Sequence, residues 1–324
     1  MKRFVCGAAA LLLAALPMLA RADWPDRPIK IIVPFPAGNS SDVSMRLLGE
    51  RLSSRLGQPV IVDNRVGVGG ALGTGVLAKA PADGYTLGMG STGPMAIAKA
   101  LRPDTVTYDA PRDFVVVGGI AWAHQLLSVH KDFPASNFAE FVAHARKPGV
   151  RLNYSTGGNG TTHHLIISQL VNQAKLNAEH VPYKGSVEAI TAVIGGQVDF
   201  SLTDLPPIRG ALAAGQVKLL GTASGARVPS LPNLPTLREQ GAKDFDYPTW
   251  ILLIAPKGVP EPIMEKLYSA VDAVMKMPDM RDRLIGLGLA PMDLPRARLS
   301  GFLQAEEAKW SELVQVSGAA ASVR

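Results

Sequence analysis

The stretch Ile29-Lys30-Ile31-Ile32-Val33-Pro34-Phe35-Pro36-Ala37-Gly38-Asn39-Ser40-Ser41-Asp42 sets the architecture of the chain. Residues 29–35 read as a buried strand, Pro36 and Gly38 turn the backbone, and the hydroxyls stand where a helix starts. Val43, Leu47, Leu48, Leu52 and Leu56 then recur at helical spacing, and residues 60–62 begin the next strand. Strand, helix and strand in this order predict a parallel pair covered by a helix.

Outward from this unit the alternation continues, with strand patterns at 85–90, 115–129, 152–154, 181–183, 198–202, 217–221 and 251–254. Gly195-Gly196 stops the helical segment 190–194. Near the end, Ile263, Leu267, Val271 and Val274 mark one amphipathic helix. Leu299, Phe302, Leu303, Trp310, Leu313 and Val314 mark another. The pattern predicts an α/β protein of mostly parallel sheets flanked by helices. At 324 residues it exceeds what one core usually serves, so two lobes are expected. All six histidines (His124, His130, His144, His163, His164 and His180) fall within 124–180, a compositional shift that hints at where the lobes divide.

The first 22 residues read as a cleaved secretory signal: Lys2 and Arg3, an apolar run over 4–19, and the small-x-small exit Ala20-Arg21-Ala22. That run is short for a membrane span. Its removal takes three bases and no acid, leaving 30 Lys and Arg against 27 Asp and Glu, with no run of like charge. Nucleic-acid binding therefore has no electrostatic footprint. Cys6 leaves with the signal, and a thiol-free exported chain suits an oxidising compartment. The expected location is the periplasm.

The candidate chemistry sits in loops that follow strands. Ala37 to Asp42 lead into the first helix, where free amides and the helix dipole favour an anion. Equally, Ser40, Ser41 and Asp42 fit a plain helix cap. A second such loop is Ser155-Thr156-Gly157-Gly158-Asn159-Gly160-Thr161-Thr162, whose glycines let backbone approach a ligand. Tyr183-Lys184-Gly185-Ser186 is a third, with a cation, and Asp204 follows the strand pattern at 198–202. All share the carboxyl ends of strands, where open α/β sheets bind ligands, and two helix starts facing one cleft suit a small dicarboxylate.

Catalytic patterns fit poorly. No serine has glycines two positions before and after it, as a nucleophile elbow requires. Gly67, Gly69, Gly70, Gly73 and Gly75 resemble a dinucleotide loop, but Leu72 stands where the third glycine is needed. Adjacent His163 and His164 diverge on a helix, unlike a metal pair four residues apart. Glu306 and Glu307 read as solvated charge on a helical face. Nothing here calls for a cofactor or a metal. The competing reading is an exported α/β enzyme acting on a small organic acid through His163 or Asp204.

The ordered motifs of the chain resemble those of the tripartite tricarboxylate transporter substrate-binding family, the Bug proteins. They are Val33-Pro34-Phe35-Pro36-Ala37-Gly38 with Asp42, Gln58-Pro59-Val60-Ile61-Val62-Asp63-Asn64-Arg65 with Gly67, Gly69 and Gly70, and Ala82-Asp83-Gly84-Tyr85-Thr86-Leu87. Tyr154-Ser155 with Gly158-Asn159-Gly160-Thr161, His180-Val181-Pro182-Tyr183-Lys184-Gly185, Gly195-Gly196-Gln197-Val198-Asp199 and Leu234-Pro235-Thr236 continue them. The resemblance implies a two-lobed periplasmic binding protein of type II-like fold with two crossover strands, lobe one at 23–123 plus 224–324 and lobe two at 124–223. It also implies a monomeric, non-enzymatic receptor that closes on a carboxylate or dicarboxylate and serves membrane transporter subunits or a sensor.

By the same resemblance the ligand is gripped by amides and waters of two loops. The first holds Phe35, Ala37, Gly38, Asn39, Ser40 and Asp42. The second holds Thr156, Gly158, Asn159, Gly160, Thr161, Thr162 and His163. Ser91, Thr92, Tyr183, Lys184, Gly185, Asp204 and the Thr249-Trp250 pair serve as walls. One departure stands out: Asn39 follows Gly38 where the family usually has a second glycine. Asp204 either meets a ligand hydroxyl or ammonium, or caps a turn.

Overall fold

A computed structural model of the protein describes residues 24–317; the leader and Cys6 lie outside them. In chain order the elements are β1 (Ile29–Val33), α1 (Ser40–Leu56), β2 (Val60–Asn64), α2 (Ala71–Ala78), β3 (Thr86–Ser91), α3 (Ala98–Leu101), α4 (Ala110–Asp113) and β4 (Phe114–Ala123). Then come β5 (Leu126–His130), α5 (Phe138–Ala145), β6 (Leu152–Thr156), α6 (Thr162–Gln173), β7 (Ala178–Pro182), α7 (Ser186–Ile194), β8 (Phe200–Thr203), α8 (Leu205–Ala213) and β9 (Val217–Thr222). The chain closes with β10 (Thr249–Pro256), α9 (Glu261–Met275), α10 (Pro278–Gly286), β11 (Leu289–Pro291) and α11 (Arg296–Val316).

Two sheets form. The six-stranded one has the order β11-β4-β10-β3-β1-β2 and the five-stranded one β7-β6-β8-β5-β9. Each is mixed, and the reason is topological. β1 pairs in parallel with β2 and β3, and β6 with β7 and β8, as successive strand-helix units require. The strands at the two crossings, β4 and β10 in one sheet and β5 and β9 in the other, bring antiparallel pairings.

The apolar pattern at 115–129 resolves into two strands that belong to different sheets, broken at His124-Gln125. The first strand ends at Val33, two residues before its apolar run does, because Pro34 lacks an amide to continue the ladder.

Ile29, Ile31, Ile32 and Val33 of β1 are buried under helices, as a central parallel strand should be. Met45, Leu48 and Leu52 of α1 pack with Leu267, Val271 and Val274 of α9 in one core cluster. The Asn39 carboxamide accepts the Asp42 amide at 2.8 Å to start α1, a cap worth about 1 kcal/mol. Gly57, at φ 72°, ends that helix by returning its amide to the Ser53 carbonyl.

Candidate functional site

The carboxyl ends of β1, β3, β6 and β8 open onto one cavity of about 620 Å3 between the sheets. Most of the expected residues line it: Phe35, Ala37, Asn39, Ser40, Ser91, Thr92, Gly158, Asn159, Thr161, Thr162, His163, Lys184, Gly185, Asp204, Thr249 and Trp250. Helix starts supply much of the wall. Asn39 precedes α1, Gly70 precedes α2, Thr161 precedes α6 and Gly185 precedes α7. The first amides of a helix lack partners within it. At α6 the Thr161 hydroxyl takes the His164 amide at 3.4 Å, which leaves those of Thr162 and His163 at the cavity wall.

Gly38, Asp42, Thr156, Gly160 and Tyr183 do not line the cavity; they hold the loops that do. Asp42 is 2% exposed and accepts from the Gly38 amide at 3.0 Å, from Arg46 Nε and from Asn64 Nδ2 at 2.9 Å. Burial pushes its pKa up, but the Arg46 bond and the amide donors outweigh this and hold the carboxyl below its usual range. The Gly38 amide is thus spent inside the protein.

Thr156 and Gly160 tie the second loop to two histidines beneath it. The Thr156 hydroxyl lies 2.6 Å from His180 Nε2, and the Gly160 amide donates to His164 Nδ1 at 3.1 Å. The two imidazoles stack at 4.0 Å, with Tyr154 against His180 at 5.0 Å and Phe200 against Tyr154 at 5.4 Å. Burial pushes His164 down to about 4 and His180 down to about 3, the latter helped by its neighbour, so both rings are neutral at pH 7. His163, next along α6, turns to the cavity instead and is likewise held neutral by burial, at about 4.

Of the two roles the sequence leaves open for Asp204, the structure bears on the cap. It stands at the N-cap of α8, but the next helical positions include Pro206 and Pro207, which have no amide hydrogens to give. Its side chain makes no cap bond. It accepts instead from the Ser40 hydroxyl, which reaches it from the opposite sheet's loop, and lies 3.4 Å from the Thr203 hydroxyl. Burial raises its pKa to about 6. Since Ser40 opens α1, the first helix start already meets a carboxylate of the protein.

Several lining residues carry no signal in the sequence patterns. Arg102 follows α3 and reaches the Asn159 carbonyl across the cavity at 3.3 Å. Gln125 sits between β4 and β5. Val66, Val68 and Val187 give apolar wall, while Gly67, Gly69 and Gly70, which the sequence did single out, line it around a single 3-10 turn before α2. Trp250 is fully buried and fixed by Glu306, whose carboxylate accepts from both Trp250 and Trp310 Nε1 at 2.9 Å. Glu306 is therefore a buried-side clamp and not the solvated charge its helical position suggested. Among the described residues no cluster of three or more His, Cys, Asp or Glu could hold a metal, and no helix is long and apolar enough to cross a membrane.

Comparison with known proteins matches this architecture. A UPF0065 protein from the tcbD-tcbE intergenic region of a Pseudomonas species is 33% identical over 315 residues, 97% of this chain and 93% of that relative. The structure of Rhodopseudomonas palustris Rpa4515 with adipate superposes with a TM-score of 0.86 at 32% identity, over 91% of this chain and 99% of the other. That of MatC (Rpa3494) from Rhodopseudomonas palustris with bound malate gives 0.81 at 31% identity, over 90% and 100%. The family model for the tripartite tricarboxylate transporter family receptor matches residues 44–319. With a two-sheet fold, a cavity between the sheets and relatives of this kind, the chain belongs to the tripartite tricarboxylate transporter receptor family of solute-binding proteins.

Proposed function

We propose that this protein is a periplasmic receptor that captures a small carboxylate between two lobes and acts by binding alone. The observation that carries the reading is the cavity between the sheets, where the starts of α6 and α7 lie at a wall otherwise rich in apolar side chains. Amides suffice to hold a carboxylate. The similarity to structures holding adipate and malate supports the same solute class.

We place lobe one at 23–123 plus 224–324 and lobe two at 124–223, divisions that keep the strands of each sheet together. The leader at 1–22 would be cleaved on export, and the mature monomer would deliver its solute to the membrane subunits of a tripartite transporter or to a sensor. The amides of Thr162 and His163 would take the carboxylate, with Arg102 adding a cation, while Phe35, Val66, Val187 and Trp250 would enclose the carbon chain.

The test is a panel of mono- and dicarboxylates followed by thermal denaturation and mass analysis of the recovered solute. A true ligand at one hundred times its Kd adds about 2.7 kcal/mol and returns unchanged. Gly158→Val should abolish that stabilisation. Gly158 has φ 126° and its added Cβ would lie 3.3 Å from the Tyr183 carbonyl, so the loop must shift. Turnover of any panel member, or unaltered binding by the variant, overturns the proposal.

A further inference from the structure

The floor of the cavity, where the two sheets meet, holds buried side-chain oxygens able to accept a hydrogen bond. β5 and β8 run antiparallel with Leu126 opposite Thr203, so the ladder's next position sets Gln125 beside Asp204. Gln125 is 2% exposed and Asp204 7%. The orientation of the Gln125 carboxamide follows from its neighbours. The Thr249 hydroxyl has one hydrogen, donated to the Ala123 carbonyl at 3.1 Å, so toward Gln125 it can only accept. Gln125 Nε2 donates to it at 3.0 Å. Gln125, which lines the cavity, is then left with a buried Oε1 that has no protein partner.

Ser91 Oγ, 8% exposed, is also buried without a partner. It belongs to the same floor, because Ser91 pairs with Ile251, two residues along β10 from Thr249. Asp204 completes the set. Its carboxylate already receives the hydroxyls of Ser40 and Thr203 and the amides of Ser40 and of its own residue, so what it adds to the floor is negative charge. A buried acceptor without a donor is costly, and a second carboxylate placed here would face a carboxylate and a bare carbonyl oxygen.

We propose that this floor reads a hydrogen-bond donor, so that the solute carries, besides its carboxylate, a hydroxyl or ammonium group lodged against Asp204 and Gln125. The inference rests on the receptor reading above and narrows its solute class. The carboxylate then lies toward the α6 start, because the Ser40 end of α1 is already matched by Asp204.

Calorimetric titration of the purified protein with matched acids tests this. Unsubstituted, hydroxy- and amino-carboxylates of four, five and six carbons are compared at equal chain length. A hydroxy or amino acid should bind at least about tenfold more tightly than its unsubstituted partner, and the two arms tell which donor is read. Asp204→Asn and Gln125→Leu should each bring that ratio toward one. Unsubstituted acids binding as well as or better than their donor-bearing partners overturn the donor floor while leaving the receptor reading standing. Failure of every acid to bind overturns the receptor reading, and this inference with it.

Discussion

A carboxyl group enclosed by protein, as Asp204 is, holds its proton more tightly than one in water, and the hydroxyls and amides bonded to it offset only part of that effect. The sign of the effect follows. Its folded pKa of about 6 lies above that of an unfolded aspartate, so its contribution to stability is complete below about pH 4 and is lost as pH rises through 6. At neutral pH the deficit is on the order of 2 to 3 kcal/mol. Asp204→Asn should therefore melt several degrees above the parent at pH 7.5 and with it at pH 4. Equal melting at pH 7.5 would show that the carboxylate is stabilised by something beyond its visible partners. At this scale the sequence was readable where a loop residue follows a strand, which is how Asn39, Thr161 and Asp204 stood out. Arg102 and Gln125 did not, since nothing in their neighbours along the chain announces a contact made by folding.

Between β6 and α6 the second loop rests on a column of rings, His164 on His180 on Tyr154 on Phe200. The Gly160 amide needs His164 Nδ1 unprotonated to accept its hydrogen. Because both histidines have folded pKa values well below the ordinary 6.5, the unfolded chain takes protons first as the medium is acidified. Their contribution is complete above about pH 6.5 and is lost as pH falls toward 4 and 3. His124 and His163 share this direction, and Asp204 runs the other way. Acidification from pH 7 to 5 should lower the urea midpoint, and His180→Gln, which keeps a polar group for Thr156, should shrink that drop. An identical drop in the variant would acquit the column. The glycine-threonine spacing made this loop legible in advance. The split of residues 115–129 between two sheets was not, because His124-Gln125 interrupts apolar spacing without any glycine or proline, and β11 is only three residues long.

Across the whole molecule the sheets are joined at several places. Arg102 bonds Asn159, Asn172 Nδ2 donates to the Ser317 carbonyl at 2.8 Å, Arg209 reaches the Gly286 carbonyl, and Ser40 meets Asp204. The Arg102–Asn159 contact spans the cavity, so it is one that parts if the lobes swing open. X-ray scattering should report a smaller radius of gyration once a bound acid is added, and Arg102→Gln should reduce the acid's hold by loosening the far rim. No change in radius on binding would mean a rigid vessel filled through its mouth.

The crossings themselves run side by side, with the Ala223 amide on the Gln125 carbonyl at 2.8 Å and His124 Nδ1 at 2.9 Å from the Ser224 hydroxyl. Points near a pivot travel least. Gln125 belongs to that pivot, so the back of the chamber keeps its shape whether the jaws are apart or together, while the glycine loops at the lips travel furthest. On the proposed donor floor, selection of the visitor would fall to the stationary part and its length of stay to the moving part, so evolution could retune one without disturbing the other.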